Sequence, residues 1–288
     1  MSVSLGRNEV SQPSARDAVE DAIDAFVERA RFELDHRRQA WRVDLEKKEV
    51  HEVIGALLAR QVTLATRLAQ APNLWDGHTA PLFLRAMADV YIILAWIIAD
   101  PVDRARKFIH YGLGQQKLQL EHRRAEFAGR EPRREEKLAI EAMEEWMNSQ
   151  RLIYLTEVNL GSWSGLTTRD MADQAGCLDF YNFVYTPFSA CTHSMWHHIA
   201  RYNLEPCQNP LHQFHHIPRD PELHTDVYYF YLGGKYLEKI LTTSDRWAGI
   251  APPSPTAFQV LESGLDRVSQ LLPSSDAGET PEPPGESV

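Results

Sequence analysis

Arg85 and Asp89 stand four residues apart in a stretch that is otherwise almost wholly apolar, Ala80 to Ala99. That spacing puts both charges on one face of a helix. Charges on a buried helix are costly unless they are paired, so the two answer each other or a third polar group. They form either an ion pair inside a bundle or a cleft in which Arg85 grips an anion or phosphate. Tyr181, Tyr185, Ser189 and His193 follow one another at intervals of four and line a second helical face. They read either as a hydrogen-bonded seam between helices or as a site where the His193 imidazole works as acid, base or charge stabiliser. Ser189 lacks the G-x-S-x-G setting that exposes a hydrolase nucleophile.

Seven of the twelve histidines fall between His193 and His224, with Cys191 just before them and Cys207 among them. His193 and His197, at i and i+4, could chelate a metal from one helix beside Cys191. No HExxH, paired CxxC or paired ExxH occurs, and the lone Glu33-to-His36 pair argues against a di-iron bundle. The expectation is therefore no metal and no cofactor.

The elements that must carry these residues are helical. Val19, Ile23, Phe26, Ala30 and Leu34 share a face, as do Ile54, Leu57, Leu58, Leu64, Ala65 and Leu68. Phe258, Leu261, Leu265, Val268 and Leu272 recur at steps of three and four. Asp100-Pro101 and Asp220-Pro221 each place a capping side chain before a proline at a first helical position. Arg133 to Tyr154 reads as a charged amphipathic helix, and Asn159–Gly165 and Asn203–Pro218 as loops. No alternating pattern is long enough to build a sheet. An all-α bundle of about seven to nine helices follows, spanning 15–273 between disordered ends at 1–14 and 274–288.

The apolar run Val90 to Ala99 is only ten residues long, and Pro81, Arg85 and Asp89 interrupt what precedes it. A bilayer needs roughly 20 apolar residues, so this is expected to be a buried central helix and the protein to make no use of a membrane. Three cysteines and no apolar leader point to a reducing, cytoplasmic setting. A formal charge of −10 argues against a broad nucleic-acid face, leaves room for a small local basic site, and is compatible with a basic protein partner.

Trp163-Ser-Gly165, Arg169-Asp-Met-Ala172, Tyr181, Tyr185, Ser189 and His193 together form an ordered succession. It resembles the bacterial family called domain of unknown function 5677, with its W-x-G, R-x-x-A and Y-x-x-x-Y-x-x-x-S-x-x-x-H pattern. Leu84-Arg85-Ala-Met-Ala-Asp89 is similar to that family's R-x-x-x-E/D helix, with aspartate where glutamate is the commoner acid, and Asp100-Pro101 follows as its D-P turn. The likeness runs from about Pro81 to Trp196, a family-like core of about 80–200. It implies that Arg85, Asp89, Ser189 and His193 carry any chemistry, with Trp163, Arg169, Tyr181 and Tyr185 around a ligand. The architecture is also similar to the higher-eukaryote and prokaryote nucleotide-binding helical domains, many of them metal-independent RNases of defence systems with an R-x(4–6)-H motif. That motif occurs four times here, where composition alone yields about three by chance, so its count decides nothing. Two functions stay open: an RNase or RNA- or nucleotide-binding protein, and a non-catalytic interaction module.

Overall fold

The computed structural model describes residues 14–127, 129–151 and 163–271. Residues 1–13 of the expected disordered end 1–14 and all of 274–288 lie outside them, as do positions 152–154 of the expected charged helix, 159–162 of the expected loop and Leu272 of the last amphipathic face. The described chain is all-α, with ten helices where about seven to nine were expected.

Helix α1 (Ala15–Ala40) opens on a reciprocal capping box between Ser14 and Asp17. Helices α2 (Lys48–Ala69), α3 (Ala80–Ala99), α4 (Pro101–Glu126), α5 (Arg134–Arg151) and α6 (Thr168–Gln174) follow. Then α7 (Leu178–Phe180) runs through a π-helical stretch, Tyr181–Tyr185, into α8 (Thr186–Thr192), which together make one continuous helix. Short α9 (Trp196–Asn203), long α10 (Tyr228–Ala248) and α11 (Ala257–Leu271) complete the order.

Helix α3 is the axis of the core. It packs against α2 and α10 and also meets α4, α6 and α8. Leu84, Met87, Ala88, Ile92, Leu94 and Ile97 on it are wholly enclosed. Among the described residues it is the one helix long and apolar enough to cross a membrane, and most of it is buried within the bundle. An aromatic cluster joins the segment before α3 to α10 and α1. Trp75 stacks on Phe230 of α10 at 4.9 Å, and Phe230 meets Phe26 of α1 edge-on at 5.2 Å.

A buried ion network ties α1 to α10 and α11. Arg37 donates two parallel hydrogen bonds to Asp245, of 2.7 and 2.6 Å, and a third of 2.8 Å to Glu33. The other Glu33 oxygen accepts from the Ala257 backbone N–H at the start of α11. This places Glu33 in a structural role, while His36 turns outward to the Ala251 carbonyl.

Two expected boundaries are corrected. The Asp220-Pro221 pair does not start a helix: α10 begins at Tyr228, where Asp226 Oδ1 accepts from the Tyr228 N–H at 2.8 Å. A helix does begin at Pro101, but Asp100 makes no side-chain capping bond there. The expected loop 203–218 contains a small antiparallel hairpin, β1 (Leu204–Pro206) with β2 (His216–Pro218), in register Glu205 to Ile217.

Candidate functional site

Arg85 reaches from α3 to Ser189 on α8. Its side chain is only 8% exposed. Nε donates to Ser189 Oγ at 2.8 Å, and that hydroxyl donates in turn to the Tyr185 carbonyl at 2.9 Å. Nη1 pairs with the Asp89 carboxylate one turn along α3. The face of the guanidinium lies 3.3 Å from the centre of the Tyr185 ring, a cation–π contact. Tyr185 is itself stacked on Tyr181 at 4.7 Å, and its hydroxyl meets Thr168 Oγ1 of α6 at 3.3 Å. The arginine is therefore held on three sides by its own chain.

Asp89 is the part of this cluster that solvent reaches, with 39% of its side chain exposed. Its pKa is raised above the usual 3.8 because partial burial penalises the carboxylate, against the opposing pull of Arg85, Tyr185 and His193. The Tyr185 phenol is also raised, by burial first and then by the Asp89 charge.

The structure brings Arg85, Asp89, Tyr185 and Ser189 into contact. His193 sits at the rim, exposed, and is the residue that ends α8 rather than the fourth rung of its face. The helix ends at Thr192, and the His193 backbone has already left helical geometry, so the four-residue ladder stops at Ser189. The remaining expected ligand residues lie elsewhere. Trp163 packs edge-on against Trp96 at 5.3 Å and Phe108 at 5.0 Å, filling the gap between α3 and α4. Arg169 projects into solvent from α6. Three of the four arginines in R-x(4–6)-H spacings have structural partners: Arg29 lies over Phe32, Arg104 over Trp96, and Arg219 donates to the Tyr202 carbonyl ending α9.

Of the three residues considered as metal ligands, Cys191 donates its thiol to the His78 carbonyl at 2.9 Å, and His193 and His197 are exposed. Two other groupings went unread in the sequence. His198 and His78, 120 positions apart, share a 3.0 Å hydrogen bond beneath Tyr202, and burial lowers the His198 pKa. Cys207, His212 and His215 bring their ligand atoms within 4.8 Å of one another. The C-x4-H-x2-H spacing was the available signal for the second. Nothing local signals the first. A cleft of about 450 Å³ between Trp41, His51 and Trp247 shares no lining residue with the Arg85 cluster.

No curated protein and no solved structure matches this chain. A family model does match, over residues 51–209, a wider span than the Pro81–Trp196 succession of motifs. That span covers more than half the chain and contains the whole Arg85–Asp89–Ser189–His193 cluster, and the chain accordingly belongs to the family of unknown function DUF5677.

Proposed function

We propose that the Arg85 cluster is an acid–base site acting on a phosphate-bearing ligand, with RNA as the substrate and no metal in the chemistry. The observation that supports this reading is a solvent-reachable carboxylate, Asp89, held by buried Arg85 against α8, whose end carries the exposed imidazole of His193. RNA brings its own nucleophile. Asp89 would take the proton from the 2′-OH, that oxygen would attack the adjacent phosphorus, and His193 would give a proton to the departing 5′-oxygen. Arg85 acts from behind: buried and already paired, it fixes the carboxylate rather than gripping the phosphate bidentately, as its residue type alone suggested. With a net charge of −10, the contact is confined to a short single-stranded segment at this rim.

A second reading has its own support. Arg85 spends its Nε, Nη1 and ring-facing surface on Ser189, Asp89 and Tyr185, which suits a seam that locks α3 to α8 in an interaction module. The comparison that decides is wild type against His193→Ala, with folding verified by helical circular dichroism, on total and transfer RNA in EDTA. Cleavage in EDTA that falls at least about 100-fold in the variant supports the acid–base reading, the scale expected for a lost general acid. RNA left intact by both proteins, with no nucleotide bound, gives the interaction module.

A further inference from the structure

The nine residues between β1 and β2, 207 to 215, fold on themselves in a way the hairpin alone does not require. The Cys207 N–H donates to the His215 carbonyl at 2.9 Å, which sets these two residues opposite each other where the strands end. Two further turns follow, with the His212 N–H on the Asn209 carbonyl at 2.9 Å and the His215 N–H on the His212 carbonyl at 3.1 Å. Asn209 Oδ1 accepts from the Leu211 N–H at 3.0 Å. Phe214 takes a left-handed backbone, φ 60°, that a bulky residue rarely adopts. The loop has no apolar core to justify that conformation: Leu211 and Phe214 are 89% and 96% exposed.

These turns do converge three side chains. Cys207 Sγ, His212 and His215 present ligand atoms all within 4.8 Å of one another, and Sγ lies 3.6 Å from His212 Nδ1. Zinc bonds sulfur at about 2.3 Å and imidazole nitrogen at about 2.0–2.1 Å, so the sulfur-to-nitrogen edge of a tetrahedral site is about 3.6 Å. The observed separation is that edge. The donor set is one thiol and two imidazoles with no carboxylate, a combination that suits zinc and disfavours magnesium or calcium.

We propose that Cys207, His212 and His215 bind one Zn²⁺ through a thiolate and two imidazole nitrogens, with water in the fourth position. Binding releases the Cys207 thiol proton to solvent. The ion takes the Nδ1 lone pair of His212, and the ring proton resides on Nε2. Asn209, whose Oδ1 stays on the Leu211 N–H, has Nδ2 3.2 Å from Nε2; that contact gives way, and the Nε2 proton of the exposed ring turns to water. Half-exposed Cys207 and the exposed histidines leave an ion a direct path from solvent, and the coordinated loop would hold Leu211 and Phe214 outward in a fixed arrangement.

The site is independent of the Arg85 cluster, and its test needs no activity. Untagged full-length protein, stripped with EDTA and freed of chelator, is titrated with Co²⁺. One equivalent should produce the intense visible bands of tetrahedral cobalt together with a sulfur-to-metal band, and Zn²⁺ should abolish both. Cys207→Ser and His215→Ala should lose the spectrum, while Cys191→Ser keeps it. Zinc should also slow alkylation of Cys207 in the wild type at least tenfold, a readout that does not depend on any variant folding. Weak octahedral cobalt bands in the wild type, an unchanged spectrum in Cys207→Ser, or alkylation of Cys207 indifferent to zinc would each overturn the proposal.

Discussion

Two opposed demands act on Asp89. Burial disfavours its ionised form, and the guanidinium of Arg85 favours it; burial prevails, so the pKa rises. A carboxyl group whose folded pKa is raised binds its proton more tightly in the folded chain than in the unfolded one. Its contribution to stability is then fully present below the unfolded value near 3.8 and is lost as pH rises through the raised folded value. The expected outcome is that, from about pH 4 upward, wild-type stability falls more steeply with pH than that of Asp89→Asn, which keeps an acceptor for Arg85 but no longer titrates. Denaturant midpoints measured across that range, or carbon NMR titration of the Asp89 carboxyl, check it; a midpoint at or below 3.8 would contradict the burial argument. Much of this cluster was legible because two charges in an apolar run are conspicuous and the i, i+4 rule places them. The Tyr185 ring beneath Arg85 was not legible as such, since a four-residue ladder says which face a ring is on and nothing about what lies across from it. Nor was the Glu33–Arg37–Asp245 network, in which Arg37 and Asp245 are 208 positions apart.

Helices meet closely here where side chains vanish. On α10, a Cβ added at Gly234 would come within 2.4 Å of Leu261 Cδ2 and 3.3 Å of Phe258, both on α11, and 3.5 Å of the Phe26 ring on α1. Leu261 is itself fully buried, so it has little room to yield. Gly234→Ala should therefore destabilise by about 1–3 kcal/mol through overpacking, although alanine is the better helix former by about 1 kcal/mol. Thermal or urea unfolding would show this directly, and a stabilised variant would mean that α10 and α11 can separate without cost. Long amphipathic helices such as α1, α2 and α11 were readable from apolar period because they have one core face each. The short elements were not. Three-residue strands are too brief to show alternation, and the Asp220-Pro221 start was misread because a cap and a proline permit a helix without compelling one. The π-helical turn was invisible because the four-residue interval from Tyr181 to Tyr185 reads equally well as an ordinary helical turn.

The family match covers residues 51–209, and that segment is not what holds the core shut. Helix α10 lies outside it and packs along both α2 and α3, while α1, also outside, joins α11. Phe230, Leu232, Tyr236, Leu237, Ile240 and Leu241 of α10 are all buried, in the same core as the α3 that presents Arg85. Fully burying a large apolar side chain contributes about 1.5–3 kcal/mol. Losing six would remove as much free energy as the entire stability of an ordinary domain, about 5–15 kcal/mol. The expectation is that a chain cut to 51–209 fails to fold as a unit, exposing the apolar length of α3, whereas 14–271 unfolds cooperatively. Dye binding to exposed apolar surface and the sharpness of the urea transition distinguish the outcomes. A truncated chain with a cooperative transition would show that α2, α4, α6 and α8 suffice to enclose α3, and that α1, α10 and α11 are additions to a self-standing family core. If they do not suffice, the Arg85 cluster depends on residues that share none of its motifs. Its geometry would then be set from one side by α8, through Ser189 and Tyr185, and from the other by the apolar face of α10 that presses α3 into place.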